Sequence, residues 1–400
     1  MNIKGIYVNL SSINPGVNNK IKSIVKSIDS YEGISCELIL PGYKQNNELI
    51  DDNGFKYLEL SIYSSKKVLF YFEKLFVVFS PFKFIRVWKF KKMFFKALLK
   101  FQIENNISYS IVRYPFASYS FLNFLKSSSS NVYIEFNTFE FKEFKSQNRF
   151  FFLSLKYYLE RILRKKILQN SEGFIGVTNE IISYQDQFID IKSKPKFLIS
   201  NGLGNGSNRL IFHKEINPIN FVVLIGQDQP WHGIDRLIFS LEDFPLETKA
   251  IINVIGKLSK NSLELINKTP IKNVSFRFLG LVSSYELHSL LEKTHIGIGS
   301  LCLFRKGMKE ACPLKVRDFA LNGLPVVIGY NDTDFSNNQT LNKFTFQVEN
   351  SDSTIDFNKV ISWYEQFSLE DLKKFSENAY DILSYQKKVM PFVDYLKSKK

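Results

Sequence analysis

Cysteine is scarce. The 400 residues hold three, Cys36, Cys302 and Cys312, with no CxxC pair and no Cys/His spacing that suits a metal. A disulfide framework and a zinc site are therefore not expected, and a reducing cytoplasm fits. The first residues, Met1-Asn-Ile-Lys-Gly-Ile-Tyr-Val-Asn-Leu10, lack a charged n-region followed by a long apolar run, so they read as a short strand and no secretory signal is expected. The most apolar window, Val68 to Phe84, is interrupted by Glu73, Lys74, Pro81 and Lys83, which argues against a spanning helix. Negative charge is also short: 39 Asp and Glu against 53 Lys and Arg leave a formal net charge of +14. Such an excess calls for an anionic partner, and nucleic acid, an anionic membrane surface or phosphorylated small molecules would each serve. No internal repeat is apparent. Low Ala and Gly beside abundant Lys, Asn, Ile and Phe fits an AT-rich bacterial genome.

Apolar surface, by contrast, is ample. Hydrophobic residues are 44% and aromatics 15% of the chain, enough to offset the ordering entropy of a folded protein. A chain of 400 residues outgrows one hydrophobic core, so two domains are expected. In the first half, short β-rich runs at Ile3–Leu10, Ile34–Pro41, Tyr57–Leu60, Tyr109–Tyr114, Val132–Phe136, Gly173–Val177 and Lys196–Ile199 alternate with helix-compatible segments such as Lys20–Ile28, Lys91–Gln102 and Phe151–Leu168. That alternation predicts βαβ units on a mostly parallel sheet. Ser200 to Arg209 interrupts it with three glycines and three asparagines, so the linker is placed there, extending to Asn220. A second series follows at Phe221–Ile225, Ala250–Ile255, Val274–Leu279, Ile296–Ser300, Leu324–Ile328 and Phe344–Val348, near-continuous apolar runs of the kind that buried parallel strands carry. The end, Asp371 to Lys400, is helical in pattern.

The segment 307–330 carries the densest chemistry. Pro313 suits the first turn of a helix, Gly323 its C′ position, and Pro325 prevents continuation, so a short helix should lead directly into a strand. In an open α/β sheet, ligands collect at the carboxyl ends of strands, where helix N-termini present free amides. The N–H groups of Leu314 and Lys315 would meet a phosphate. Glu310 lies just before the helix and Asp318 inside it, and carboxylates beside an anion site make sense when hydroxyls are their partners. A sugar nucleotide supplies both groups.

Glu310, seven intervening residues, Asp318 and the trailing Ala-Leu-Asn-Gly-Leu-Pro-Val-Val resemble the Glu-x7-Glu signature and "A-x-G-x-P-V" of retaining GT-B glycosyltransferases, above all family 4. Gly226 to Leu237 (Gly-Gln-Asp-Gln-Pro-Trp-His-Gly-Ile-Asp-Arg-Leu) resembles the donor loop of that family, Asn253-Val-Ile-Gly256 its next strand end, Phe278 to Leu287 the stretch beside the nucleobase, and Asn201-Gly202 the "P-N-G" before the linker. The matches run in order over roughly residues 170 to 330. The resemblance implies an α/β fold of two Rossmann-like, doubly wound domains facing across a cleft: 1–205 for the acceptor, 206–385 for the donor, and a C-terminal helix, 386–400, crossing back to the first. It implies transfer of a sugar from a nucleoside-diphosphate-sugar to an acceptor hydroxyl with retention, by departure and attack on one face, with no metal or other cofactor.

Carried over residue by residue, the resemblance makes Glu310 the holder of the donor sugar and Asp318 the acceptor of ribose hydroxyls, with His232 as a second catalytic candidate. Gly226, Leu314 and Lys315 would line the diphosphate, and the backbone of Leu281 and Val282 the nucleobase. Two departures stand out. Asp318 is one methylene shorter than the Glu of the signature, and the basic pair of the donor loop is replaced by Gln227 and His232. Neutralisation would then fall to a protonated His232, or to Lys257, Lys315 or Arg317. Ser283-x-x-Glu286 is a capping box. Gly16, in a Pro15-Gly16 turn after the first strand, and Asn137 and Glu140, past the end of another, are acceptor-side candidates.

Phe84 to Phe101 mixes aromatics with Arg86, Lys89, Lys91, Lys92, Lys96 and Lys100, and Arg161, Arg164, Lys165 and Lys166 follow later. As a helix, 84–101 suits an anionic lipid surface or, equally, a core helix with a solvated face. The first option fits a lipid-linked saccharide acceptor on the cytoplasmic face of a membrane, as in assembly of bacterial surface polysaccharide such as O-antigen or capsule. A sugar-nucleotide epimerase and a non-catalytic partner subunit remain as alternatives. A nucleic-acid binder ranks lower, and no nucleic-acid partner is expected, because no recognition motif accompanies the charge.

Overall fold

The computed structural model describes residues 3–10, 15–42, 57–59, 82–140, 151–189, 193–204, 217–269 and 271–399. The chain forms two compact units, Met1–Ile199 with Lys388–Lys400, and Ser200–Lys387. The division falls between Ile199 and Ser200. Of the Gly- and Asn-rich linker segment, residues 205–216 lie outside the described residues, as do residues 68–81 of the most apolar window and 141–143 beyond the Glu140 segment.

The first unit is built on a seven-stranded sheet of β1 (Ile3–Val8), β2 (Ile34–Gly42), β3 (Tyr57–Glu59), β4 (Tyr109–Arg113), β5 (Asn131–Phe136), β6 (Gly173–Gly176) and β7 (Lys196–Leu198), in the order β3-β2-β1-β4-β5-β6-β7. Every pairing is parallel. Each strand coincides with an apolar run, and the inner strands β4, β5 and β6 are buried almost throughout, as strands covered on both faces are. The helix Tyr385–Ser398 sets Phe392 edge-on against Tyr109, Tyr133 and Phe197, with ring centroids 5.9, 5.0 and 5.0 Å apart. The helix Phe82–Glu104 buries Phe94, Phe95 and Leu98, and Phe95 packs on Phe121 and Phe124 at 5.3 and 5.0 Å. Its apolar stripe is therefore core, leaving Trp88, Lys92, Lys96 and Lys100 outside.

One expectation is corrected here. Pro15 and Gly16 do not form a turn after β1; they open the helix Pro15–Asp29. Proline costs nothing at the first helical position, where its absent N–H would have had no partner. Gly16 therefore lies in a helical first turn.

The second unit carries a six-stranded parallel sheet of β8 (Ile219–Gln227), β9 (Ala250–Lys257), β10 (Val274–Gly280), β11 (Ile296–Ile298), β12 (Val326–Ile328) and β13 (Thr345–Gln347), in the order β10-β9-β8-β11-β12-β13. Strand order reverses between β8 and β11, which makes that pair the topological switch point. At the neighbouring strand end, Gly256 has φ +115°, and a Cβ there would lie 1.5 Å from the Ile225 carbonyl oxygen. Only glycine lets the ends of β8 and β9 approach this closely. Among the described residues no helix is long and apolar enough to cross a membrane.

Candidate active site

At the switch point, the turn after β8 is stitched to the loop after β11. The Leu301 amide donates to the His232 carbonyl at 3.1 Å and the Cys302 amide to that of Trp231 at 3.2 Å. Gly233, at φ +72°, allows this contact, since a Cβ would meet Cys302 Sγ at 2.8 Å and Leu301 Cβ at 2.9 Å. His232 ends a single helical turn, Pro230–His232, closed on itself: its amide donates to the Gln229 carbonyl at 2.9 Å, and the Gln229 amide donates to His232 Nδ1 at 3.1 Å. A ring that accepts at Nδ1 is neutral and keeps its proton on Nε2. Burial, aided by the nearby positive charges of Lys315 and Lys306, lowers the pKa of this ring against the opposing pull of Asp228. The lowered pKa disfavours the protonated form considered for His232.

Sequence reasoning overlooked Asp228. Its carboxylate accepts from the Ser259 amide at 3.2 Å and Ser262 Oγ at 2.5 Å. Its pKa is lowered, because the hydrogen bonds from Ser262 and Ser259 and the nearby His232 ring together outweigh burial, the largest single influence. No local signal singles it out, since both serines come from the far side of β9.

The loop after β11 leads to the helix Leu314–Leu321, with Pro313 as the residue before its first turn rather than within it, at φ −65° and ψ 138°. Leu314 and Lys315 therefore supply the first two helical amides, which have no carbonyl four residues back. The loop is tied at several points. Arg305 Nη1 pairs with Asp235 at 2.8 Å and Nη2 with Asp352, the Phe304 amide donates to Asn350 Oδ1 at 2.8 Å, and Asn350 Nδ2 donates to the Met308 carbonyl at 3.0 Å. Glu310 is fixed through its backbone in a parallel bridge with Asn331 just past β12, where the Ala311 amide reaches the Asn331 carbonyl at 3.1 Å. Its side chain is half-buried.

Lys315 is the distinctive group. Its side chain is half-buried, with Nζ covered and without a hydrogen-bond partner among the described residues. Burial alone pulls its pKa down to about 8. Asp318, one turn further along, is half-buried, and burial pushes its carboxyl up to about 6. A buried ionisable group without a partner costs stability, which a protein tolerates where a ligand supplies the partner.

Arg317, between these two, is a different case. Its guanidinium is fully buried and spent internally: Nε donates to the Asn201 carbonyl at 2.8 Å, Nη2 to Asp332 at 2.9 Å, and further bonds reach Asp332 and Asp334. It cannot meet a ligand phosphate, and the donor-binding role considered for it is corrected. The other candidates lie at strand ends of the same sheet. Gly226 is exposed with open space over its α-carbon. Lys257 is exposed at the end of β9, where its carbonyl accepts from the Asp228 amide at 3.0 Å. Beyond β10, Leu281 is exposed and Val282 half-buried. The capping box is present, with the Ser283 amide donating to Glu286 at 2.8 Å and the Glu286 amide to Ser283 Oγ at 3.2 Å.

In the first unit, Glu140 is corrected too. It is buried and bonded to Arg164 at 2.8 Å, and Arg164 also holds Glu160 at 3.1 Å and Gln185. Burial raises the Glu140 carboxyl to about 7 although Arg164 opposes it. Both Glu140 and Arg164 belong to the core, so neither an acceptor nor a lipid reaches them. Asn137 is half-buried and accepts from Lys20 Nζ at 2.8 Å. Among the described residues no group of three or more His, Cys, Asp or Glu is placed to hold a metal ion.

No protein-family model and no curated protein sequence matches the chain. Solved structures do resemble it. A glycosyltransferase from Rickettsia africae superposes with a TM-score of 0.62 at 13% identity, over 100% of each chain. Sucrose-phosphate synthase from Thermosynechococcus elongatus gives 0.66 at 10% identity, covering 99% of this chain and 100% of the other. The lipopolysaccharide outer core galactosyltransferase WaaB gives 0.63 at 12% identity, covering 98% and 99%. At these identities the likeness establishes the fold, GT-B with two Rossmann-like domains.

Proposed function

We propose that the protein is a glycosyltransferase that moves a sugar from a nucleoside-diphosphate-sugar to an acceptor hydroxyl, with retention of configuration. One observation carries this reading: the buried, unpartnered Lys315 Nζ stands beside neutral His232 at the amino end of the helix Leu314–Leu321, at the switch point of the second sheet. A diphosphate would give Lys315 its missing partner and engage the Leu314 and Lys315 amides, with His232 Nε2–H as a further donor. Lys315 thereby takes over the role of the basic pair absent from the donor loop. Gly226 permits close approach, Asp318 accepts from ribose hydroxyls, Glu310 holds the donor sugar, Lys257 faces the nucleotide, and Leu281 and Val282 border the base.

In the reaction, the bond from the anomeric carbon to the diphosphate oxygen breaks and a bond to the acceptor oxygen forms on the same face. The acceptor proton passes to the departing diphosphate. No metal is needed in this reading, because Lys315 and the helix amides meet the developing charge. The acceptor is proposed to be a lipid-linked saccharide of bacterial surface polysaccharide at the cytoplasmic membrane face. Trp88, Lys92, Lys96 and Lys100, exposed on the helix Phe82–Glu104, support that placement.

The test is a thermal-shift screen against UDP, GDP, ADP, CDP and dTDP. One nucleotide should raise the midpoint, because a ligand bound only by the native state stabilises it. Asp318→Ala should lose that rise. Glu310→Gln should keep the rise and lose transfer by about two or more orders of magnitude, the scale of a missing transition-state contact. A rise without transfer in the native protein would favour a non-catalytic subunit, and no rise at millimolar nucleotide would sink the donor site.

A further inference from the structure

The first sheet also has a switch point, between β1 and β4. Polar side chains gather at the strand ends there: Tyr7 from β1, Arg113 as the last residue of β4, Glu135 from β5 with Asn137 just beyond it, and Lys20 from the helix Pro15–Asp29. Glu135 is buried and well supplied. Tyr7 donates to it, Lys20 Nζ lies 3.0 Å away and Arg113 Nη1 3.8 Å away. Lys20 and Arg113 together overcome the effect of burial and hold the Glu135 carboxyl down to about 2. Lys20, itself buried, is satisfied by Glu135 and by Asn137 at 2.8 Å.

Among the described residues two cations thus face one carboxylate, and Arg113 is the less fully engaged of the two. Its side chain is 21% exposed, and its one hydrogen bond, from Nη1 to Asn137 Oδ1, is long at 3.4 Å. Among the described residues its Nε and Nη2 have no partner. That pair of N–H groups forms the edge of the guanidinium that matches two oxygens of a single oxyanion. The contacts of Arg113 with Glu135 and Asn137 are both made by Nη1.

We propose that Arg113 grips an oxyanion, phosphate or carboxylate, carried by the acceptor, so that the protein glycosylates an anionic saccharide. Calling the ligand an acceptor rests on the glycosyl-transfer reading above; the oxyanion site itself does not. Glucose 6-phosphate, glucuronate, glucose and inorganic phosphate are titrated separately into the intact protein by calorimetry. Both anionic sugars should bind at least roughly tenfold tighter than glucose, in keeping with a charge-assisted bidentate contact. The stronger of the two identifies the group. Arg113→Gln should abolish the preference while leaving the nucleotide thermal shift intact, and Arg113→Lys, which keeps the charge and loses the fork, should retain part of it. Equal affinity for glucose, inorganic phosphate binding as tightly as either sugar, or a preference untouched in a folded Arg113→Gln protein would each overturn the proposal. Anionic-sugar binding without any nucleotide shift would uphold this site and sink the donor reading instead.

Discussion

Glu140 in the first unit and Asp318 in the second are both carboxylates that burial pushes up, to about 7 and about 6, yet they stand in opposite surroundings. Glu140 shares Arg164 with Glu160 and Gln185, whereas burial is the sole influence on Asp318. The same contrast recurs within a single helix. Arg317 is fully engaged by Asn201, Asp332 and Asp334, while two residues earlier Lys315 Nζ is buried without a partner. Burial of charge is therefore not in itself a mark of function. What separates the two classes is pairing: Arg164 and Arg317 are ion-paired with carboxylates, and among the described residues Lys315 and Asp318 are not.

The largest effect should come from breaking the pairing. Arg317→Met strands the buried Asp332, and Arg164→Met strands Glu140 and Glu160. Removing one side of a buried ion cluster costs about 3–5 kcal/mol. At about 2–4 °C per kcal/mol for domains of this size, the thermal midpoint should fall by on the order of 10 °C. Calorimetry checks this, and a loss under about 1 kcal/mol in either variant would show that the clusters are not the keystones described.

The opposite sign is expected for the unpaired class. Lys315→Met removes a buried amine that nothing among the described residues compensates, so it should raise the midpoint by a few degrees, corresponding to about 1–3 kcal/mol for an unsatisfied buried polar group. The same variant should lose the nucleotide-induced shift. A drop in stability would mean that Lys315 has a structural partner after all and would move it into the class of Arg317.

The contrast between paired and unpaired charge is what the sequence conceals. The thirteen strands among the described residues were legible as apolar runs, although β10 and β13 are largely uncovered while the strands between them are buried. The 314–321 helix was legible too, bounded by Pro313 and by Gly323 at φ +65°. Pro15-Gly16 was misread as a turn because the same dipeptide serves a turn and a helical first turn equally well. The fates of Glu140 and Arg317 were hidden for a different reason. Their partners, Arg164 and the pair Asp332 and Asp334, lie 24 and 15–17 residues away, across crossover connections that no local periodicity records. Motif resemblance located the strand ends where a ligand would collect, but only the packed structure distinguishes a carboxylate that is already satisfied from one that is not.

The smallest effect, and the sharpest form of the comparison, is in pH. Lys315 has a folded pKa of about 8, below its ordinary value of 10.5, so between those limits the unfolded chain holds the extra proton and stability rises with pH. Asp318 has a folded pKa of about 6, above its ordinary 3.8, so between those limits the folded chain holds the extra proton and stability falls as pH rises. Between about 6 and 8 both groups are charged and both exact their full cost, and on the donor-site proposal this is the range in which Lys315⁺ would meet a diphosphate and Asp318⁻ a ribose. Nucleotide affinity should therefore peak in that window and fall on either side, while the midpoint difference between the native protein and a Lys315→Met/Asp318→Asn double variant should be largest there and shrink toward both extremes. Thermal denaturation with and without the best nucleotide, from pH 5 to pH 10, measures both curves on the same samples. Parallel profiles for the native and double-variant proteins, or a nucleotide shift that does not change across the range, would show that these two charges are not held open for a ligand.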